Sequence, residues 1–493
     1  MARANWMVLL LLITAPLNCL GQTDLLLTQP QPVKGISQKL LLHYTDTLPA
    51  SHSMVHIAAI HLEGNRLTRD RIIHRELLFS QGDSISTDRL MRRTEAGRLN
   101  LMNTGLFNFV ETQISSDHYP DIEITYHFIE RWNIWPAPVF ELDEPNLNLW
   151  FEDPSFSKFN YGIRMVATNL TGRNERIQFA AKAGNVQSLA LLVYTPYINK
   201  AQTMGWGFRY GVNRSKKIAY ATEDNERLFI RLRDHYATNE YYVSTHTNIR
   251  PGLYSNHRIA IGYHNYHYAD TLLTLNPRFG PDGKNRFSYM TASYSFRRDL
   301  RDIAAYPLKG FIYELGISRK GLRLLGDTDM DITTFDGSAQ HYIPLSSRWF
   351  FAYGAIVKFS EGTTMSYFDQ QGIGYIQSLV RGYENYVIDG HQLMVFKSNF
   401  KYNILPQRVG EIGFIPTEKF SLIHYAVYAN LFVDAGYMRD RHFYQDNPLS
   451  NTWLGSIGLG LDLVTYYDTI IRAEFSLNRH GRLGVFFHTV API

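Results

Sequence analysis

A serial alternation of polar and apolar residues, running from about residue 145 to residue 493, most constrains what this chain can fold into. Arg472 and Glu474, for example, each stand between two apolar neighbours. A period of two residues places alternate side chains on opposite faces of a β-strand. The same pattern, with arginines on the polar face, recurs in three earlier segments, residues 176–182, 227–233 and 258–264. The sequence therefore predicts an extensive sheet with one apolar face and one charged face.

The alternation alone does not separate a water-soluble β-sandwich from a membrane barrel, because each has one apolar face. The repeated arginines, the absence of dense Greek-key hairpins, the longer loops on one side and an N-terminal export signal together favour the barrel. A mean hydropathy of −0.22 agrees, since barrel strands hide their apolar half by alternation. The formal net charge of +4 is too small and dispersed to indicate nucleic-acid binding.

Sixteen strands are predicted, and an even number suits a single-chain antiparallel barrel. The predicted strands are 159–169, 175–184, 188–195, 206–213, 226–233, 240–248, 258–267, 287–297, 310–318, 333–342, 349–358, 392–403, 424–434, 453–463, 469–477 and 482–490. If the chain enters the first strand from the periplasm, the connection 372–390 is external and the connection 297–310 is periplasmic. No segment beyond the N-terminus reaches the ~20 apolar residues that a spanning helix needs.

The N-terminal residues 1–21 predict a secretory signal peptide. Arg3 supplies its positive charge, residues 7–13 form a short apolar run, and cleavage is expected before Gln22. Cys19 is the only cysteine, so lipidation at Cys19 is the alternative, although its lipobox is poor. If residues 1–21 are removed, the remaining chain has no thiol, and structural disulfides are excluded. A linker is predicted for residues 22–53.

Residues 54–131 predict a compact domain with the order β-α-α-β-β. Thr68 and Ser86 are suited to cap two helices, and Gly105 is suited to end the second. Around Ile122 the pattern returns to a clean strand alternation.

This domain resembles a POTRA domain, the periplasmic module of the BamA-type outer-membrane assembly superfamily. The resemblance is carried by five segments, Leu62-Glu63-Gly64-Asn65, Arg75-Glu76-Leu77, Gly82-Asp83, Asn103-Thr104-Gly105-Leu106-Phe107 and Glu130-Arg131. It implies a module whose exposed strand edge accepts an extended segment of another polypeptide. A generic α/β module is the alternative. The chain has room for one such domain, whereas BamA has five, TamA three and two-partner secretion transporters two.

The loop at 372–390 carries Val380-Arg381-Gly382-Tyr383, which is similar to the motif on the sixth external loop of the BamA-type superfamily. In that family the loop folds into the lumen and its arginine contacts an acidic residue on the thirteenth strand. Asp434 closes the thirteenth predicted strand here, and it has the same parity as the polar residues His424 and Asn430. The resemblance implies a loop lock in the lumen made of Arg381, Gly382, Tyr383 and Asp434. Solvated loop and turn residues are the alternative.

Four further charged residues are predicted to line the lumen because they lie on polar strand faces, namely Arg231, Arg233, Arg472 and Glu474. Two connections also match the superfamily: Asn169-Leu170-Thr171-Gly172-Arg173, and Asp299-Leu300-Arg301-Asp302 with Tyr306-Pro307 and Gly310.

Two segments depart from the superfamily pattern. Asn399-Phe400-Lys401-Tyr402 replaces the usual Glu-x-Arg, and residues 484–493 lack the terminal aromatic of a barrel-targeting signal.

No catalytic signature is present, so we expect no enzyme, no cofactor and no metal site. His264 and His267 would point to opposite faces of a strand. The resemblance implies an outer-membrane insertion or translocation factor of BamA type in a Gram-negative-type bacterium, with its N-terminal domain in the periplasm. Its expected partners are unfolded or exported polypeptides, outer-membrane lipid and periplasmic accessory proteins. The alternatives are a passive pore with an anion-favouring lumen, a dedicated secretion channel and a structural barrel without a client.

Overall fold

The computed structural model describes residues 42–44, 53–142, 159–324, 330–363, 365–370, 372–374, 380–412, 415, 418–442, 444–465 and 469–488. The predicted signal peptide with Cys19, most of the predicted linker and residues 489–493 lie outside the described residues. Within the described ranges, no helix is both long enough and apolar enough to cross a membrane.

The N-terminal domain is a five-stranded sheet with helices Asp70–His74 and Thr87–Asn103. Its strands are β1 (Leu42–Tyr44), β2 (Met54–Glu63), β3 (Ser84–Ser86), β4 (Phe107–His118) and β5 (Asp121–Glu130), in the spatial order β1-β4-β5-β2-β3. Ile57, Leu90 and Tyr126 are fully buried between the sheet and the helices. The predicted β-α-α-β-β order is therefore present, with the short strand β3 added before the second helix.

Strand β1 covers part of the edge of β4, so this edge of the domain is not fully exposed. Leu42–Tyr44 pairs in parallel with Thr112, Gln113 and Ile114 of β4. An extended segment of this chain itself thus adds to the domain by β-augmentation.

The remainder of the chain forms a sixteen-stranded antiparallel sheet in which strands neighbour one another in chain order. Its strands are β6 (Ile134–Leu142), β7 (Phe159–Thr168), β8 (Arg176–Ala183), β9 (Val186–Thr195), β10 (Met204–Ser215), β13 (Thr238–Ile249), β14 (Ser255–Tyr268), β15 (Arg286–Asp299), β16 (Gly310–Lys320), β17 (Ile332–Pro344), β18 (Trp349–Gly362), β19 (Gln392–Glu411), β20 (Leu422–Arg439), β21 (Trp453–Val464), β22 (Ile470–Asn478) and β23 (Leu483–His488). A separate two-stranded hairpin joins β11 (Lys217–Glu223) and β12 (Glu226–Arg231).

The predicted number of strands is confirmed, but two assignments were wrong. The sheet begins with β6, before the predicted boundary at residue 145. Pro136 and Pro138 in β6 remove backbone donors and signal against a strand, yet they are tolerated because β6 is an edge strand. The predicted strand 226–233 is instead β12 of the hairpin. Its sequence alternates because any β-strand places successive side chains on opposite faces, whether or not it belongs to a barrel.

Because β6 precedes the first predicted strand, one turn lies at the opposite end of the barrel from the end that the predicted strand order implies. The turn Asn169-Leu170-Thr171-Gly172-Arg173 follows the second strand of the large sheet, not the first. It therefore lies on the side of the N-terminal domain, which it contacts.

Burial in the large sheet is inverted relative to a water-soluble protein. On β20, Leu431 and Val433 are 44% and 48% exposed, whereas Asn430 and Asp434 are 3% and 1% exposed. Apolar side chains thus face outward and polar side chains face the interior. This is the pattern of a barrel with lipid outside and a polar lumen.

The N-terminal domain docks on the turns at one end of the barrel. Arg250 forms a bidentate ion pair with Glu76, with Nη1 to Oε1 at 2.7 Å and Nη2 to Oε2 at 2.9 Å. Burial alone would lower the pKa of the Arg250 guanidinium, but the Glu76 carboxylate raises this pKa above its ordinary value. The backbone N–H of Arg69 donates to the Gly172 carbonyl, and the Asn103 amide donates to the Asp302 carbonyl. This end of the barrel is therefore the one nearest the N-terminal domain.

At the opposite end, the β11–β12 hairpin packs on the external connections. The Thr222 hydroxyl donates to Asp389 Oδ2 at 2.6 Å and lies 2.9 Å from the Tyr367 hydroxyl. The remaining helices are short: Asp270–Leu275, Glu418–Ser421 and the 3-10 turns Pro281–Gly283, Tyr367–Asp369 and Tyr444–Asp446.

The first and last strands of the barrel carry open edges. In the described part of the chain, β6 pairs with β7 and β23 pairs with β22, and no ladder joins β6 to β23. We call this junction the seam. Within the described residues, β23 spans the six residues Leu483–His488.

Candidate functional site

The external loop returns into the lumen at Arg381, whose side chain is completely buried. Gly382 follows with φ of +86°, a left-handed conformation that side chains disfavour. A Cβ at this position would lie 3.3 Å from Ser456 Cβ and 3.4 Å from Ser476 Oγ. A glycine is therefore needed both for the turn and for the close approach to the wall.

The Arg381 guanidinium is held mainly by Asp434 of β20. Its Nε donates to Asp434 Oδ2 at 2.7 Å, its Nη2 donates to Oδ1, and the Arg381 backbone N–H also donates to Oδ2. Further acceptors are Asn399 Oδ1 at 2.8 Å and the Ser398 carbonyl at 3.2 Å. The guanidinium carbon lies 3.9 Å from the centroid of the Phe432 ring. This planar, charge-assisted arrangement is one that arginine can form and lysine cannot.

Apolar contacts hold the loop as well. Val380 and Tyr383 are fully buried and pack in a cluster that includes Ile373, Ile388 and Leu454. The loop is therefore attached to the wall by a small core on both sides of its buried charge.

A second ion pair lies beside the first, between Arg472 of β22 and Asp462 of β21. Arg472 Nε donates to Asp462 Oδ1 at 2.6 Å and Nη2 donates to Oδ2 at 2.7 Å. The Tyr306 hydroxyl, from the connection between β15 and β16, donates to Asp462 Oδ2 at 2.7 Å. Glu474 links the two pairs, because its Oε1 lies 3.4 Å from Arg381 Nη1 and 3.5 Å from Arg472 Nη1.

Two buried lysines add to the charged interior, and both lie in or next to residues 399–402. Lys397 and Lys401 are 6% and 3% exposed. The Lys401 ammonium lies 4.2 Å from the centroid of the Tyr306 ring. Asn399, from the same segment, supplies an acceptor to Arg381 in place of the charged residue usual in the family.

The structure brings together six of the eight predicted site residues: Arg381, Gly382, Tyr383, Asp434, Arg472 and Glu474. The prediction that Arg231 and Arg233 line the lumen is wrong. Arg231 ends β12, Arg233 follows it, and both are exposed on the external hairpin side. Alternation assigns a residue to a face of a strand, but it does not say to which sheet that strand belongs.

The sequence prediction did not include Asp462 or Tyr306 among the site residues, although Tyr306 lies in a connection that resembles the superfamily. Asp462 stands between Leu461 and Leu463 and has the parity of the lumen-facing residues. The alternation could therefore have predicted that its side chain faces the lumen. Tyr306 lies in a connection, where no period indicates direction. One group with metal-ligating side chains was also missed: Glu384, Glu474 and His488 have donor atoms within 4.8 Å of one another.

Comparison with known families now gives two matches. The model described as the Omp85 superfamily domain matches residues 169–465, more than half of the chain. The POTRA model, described as a surface antigen variable number repeat, matches residues 55–131. No curated protein matches the chain.

Several solved structures are similar in fold. CdiB from Escherichia coli has a TM-score of 0.51 at 13% identity, over 88% of this chain and 75% of that one. BamA from Haemophilus ducreyi lacking POTRA domains 1–3 has a TM-score of 0.47 at 15% identity, over 88% and 83%. CdiB from Acinetobacter baumannii has a TM-score of 0.46 at 12% identity, over 88% and 73%. At these identities, the similarity to the Escherichia coli protein concerns the fold alone.

Proposed function

The chain belongs to the Omp85 superfamily, and from this membership we propose that it is an assembly factor of BamA type, which inserts polypeptides into the membrane by pairing strands at its seam. At the level of the superfamily, it is an outer-membrane barrel with a periplasmic POTRA domain, in a family of non-enzymatic channels for polypeptide insertion or translocation. We place the POTRA domain at residues 54–131 and the barrel from Ile134 onward.

The open seam is the observation that carries the proposal. Strand edges with unpaired N–H and C=O groups template the addition of another strand. In the described chain, the free edges of β6 and β23 are of this kind. A client strand that pairs with β23 would add to the barrel wall at this edge. The work done on the client is thus hydrogen-bond pairing, and no covalent chemistry is required.

The buried loop supports the proposal because it braces the wall next to the seam. The Asn478 amide of β22 donates to the Gly382 carbonyl at 3.0 Å. The Arg381–Asp434 pair fastens the same loop to β20. We infer that the loop lock keeps the strands near the seam in register while β23 exchanges partners.

The docked POTRA domain supports delivery of a client from the periplasmic side. Its strand β4 already accepts one extended segment, Leu42–Tyr44, in parallel. We propose that an unfolded client occupies this edge before it reaches the barrel. Accessory proteins would bind other faces of the domain.

A passive pore is disfavoured by the contents of the lumen. The loop occupies the interior at Arg381, and the β11–β12 hairpin packs over the external connections at Thr222. A dedicated secretion channel would give conductance without folding assistance in the experiment below.

The test measures client folding and conductance side by side in liposomes that contain the full chain. Wild type is expected to accelerate folding of a second, small outer-membrane barrel into the same vesicles. Arg381→Ala is expected to reduce this acceleration, and Arg231→Ala, an exposed arginine on the hairpin, is the matched control. Steady large conductance without folding assistance would replace insertion by a pore or secretion function.

A further inference from the structure

Three polar atoms from different elements converge beside the seam. They are Glu384 Oε1 on the loop, Glu474 Oε2 on β22 and His488 Nε2 on β23. All three atoms are shielded from solvent, and the contacts they make in the described part of the chain are with one another, the shortest being the ion pair between His488 Nε2 and Glu474 Oε2. The side chains of Glu384, Glu474 and His488 are 11%, 1% and 18% exposed. Buried polar atoms with few protein partners call for an explanation, and an ion bound between them is one.

The other oxygen of each glutamate is already engaged, which fixes the orientation of both carboxylates. Glu384 Oε2 accepts from the Gly382 backbone N–H at 2.8 Å. Glu474 Oε1 faces Arg381 and Arg472. Each carboxylate therefore presents one oxygen toward His488, as a monodentate ligand would.

Two of the three donor spacings are close to those around one small cation, and the two carboxylate oxygens lie within 4.8 Å of each other. His488 Nε2 lies 3.2 Å from Glu474 Oε2 and 3.8 Å from Glu384 Oε1. Ligands at about 2.0–2.2 Å from a tetrahedral Zn²⁺ lie roughly 3.3–3.6 Å from one another. One imidazole with two carboxylates suits Zn²⁺ and similar transition metals, whereas Mg²⁺ and Ca²⁺ prefer oxygen ligands alone.

The main partners of the two buried arginines are aspartates, which leaves the two glutamates available to another ligand. Arg381 is paired with Asp434 and Arg472 with Asp462, so each arginine has its own aspartate. Glu384 and Glu474 add two further carboxylates at the His488 side of these pairs. Lys397 and Lys401 are further buried cations in the lumen, so the site is proposed on its geometry and not on an excess of negative charge.

We propose that Glu384, Glu474 and His488 form a binding site for a divalent transition-metal cation of the Zn²⁺ type. The ion joins the loop to β22 and to the last strand, and it thereby fastens β23 at the seam. The binding site stands on its own geometry. Its consequence, that bound Zn²⁺ slows release of β23 to a client, rests on the proposed insertion function.

The test of binding uses the full chain, folded in detergent, stripped with a chelator and titrated calorimetrically with Zn²⁺ alone. Wild type is expected to bind one Zn²⁺ that Glu384→Gln and His488→Gln bind at least about tenfold more weakly. His480→Gln is the matched control, because His480 lies in the adjacent turn outside the group. His488→Cys is expected to restore binding and to favour Cd²⁺, since thiolate is the softer ligand.

Heat-modifiable gel mobility checks that each variant is folded, and Glu384→Gln changes only a loop residue. Absence of stoichiometric binding to wild type, or binding that both glutamine variants retain unchanged, would overturn the metal site. Client insertion is then measured with and without Zn²⁺ on wild type. Zn²⁺ binding with no change in the rate of client insertion would leave the site standing and overturn only its consequence for β23. Absence of client insertion without Zn²⁺ would instead count against the proposed function, so the two failures are distinguishable.

Discussion

Arg381 on the external loop and Asp434 on β20 form a bidentate ion pair in which both side chains are completely buried. The two residues are 53 positions apart in the chain. The pair joins a segment outside the membrane-spanning strands to the inner wall, so the loop and the barrel are expected to respond together when either residue is changed.

Asp434→Ala leaves the Arg381 guanidinium buried without its main partner. Losing one member of a buried ion pair costs about 3–5 kcal/mol. We expect urea unfolding in detergent to show a loss of this size, and limited proteolysis to cut faster near residue 380. Arg231→Ala, which removes an exposed arginine, is the control. The double variant Arg381→Ala with Asp434→Ala should lose less than the sum of the single variants; additive losses would mean that the two residues do not interact.

Gly382→Ala forces a side chain into a left-handed backbone against Ser456 and Ser476. The conformational penalty alone is about 1–2 kcal/mol. We expect a lower urea midpoint with an unchanged slope. Gly252→Ala is the matched control, because a Cβ there meets nothing within 4 Å. Equal midpoints for the two variants would contradict the requirement for glycine at position 382.

Glu76→Gln weakens docking of the POTRA domain, since Arg250 loses a carboxylate that accepts two hydrogen bonds. We expect the domain to remain folded but to move more freely relative to the barrel. Spin labels at the exposed Gln81 and Leu345 would report this as a broader distance distribution. Glu63→Gln, which changes an exposed ion pair with His127, should leave the distribution unchanged.

His43→Pro disrupts the pairing of Leu42–Tyr44 with β4, because proline has no backbone donor. If this segment competes with a client for the edge of β4, the variant binds an extended peptide more tightly than wild type. Fluorescence anisotropy with a labelled barrel-strand peptide measures the difference. A proline at His56 would disrupt β2 itself and is not a suitable control. Asn65→Ala, in the turn after β2, is the control instead. Equal affinity for wild type and His43→Pro would argue against competition.

The sequence by itself determined the features that depend on local period and local chemistry. Alternation identified the two faces of the barrel strands, and parity placed Asp434 and Glu474 on the lumen face. The motif at Val380-Arg381-Gly382-Tyr383 indicated a loop that approaches the wall, because Gly382 permits both the turn and the contact.

Only the tertiary structure decided which alternating segments belong to the barrel and which side chains meet. The hairpin strand β12 has the same period of two residues as a barrel strand. Conversely, Pro136 and Pro138 argue against a strand at β6, although β6 belongs to the barrel. Asp462, Tyr306 and His488 come from separate elements, and their contacts depend on strand register and on where the connections turn. A period of two residues specifies a face of a strand, but contacts between distant segments are set by the closure of the whole fold.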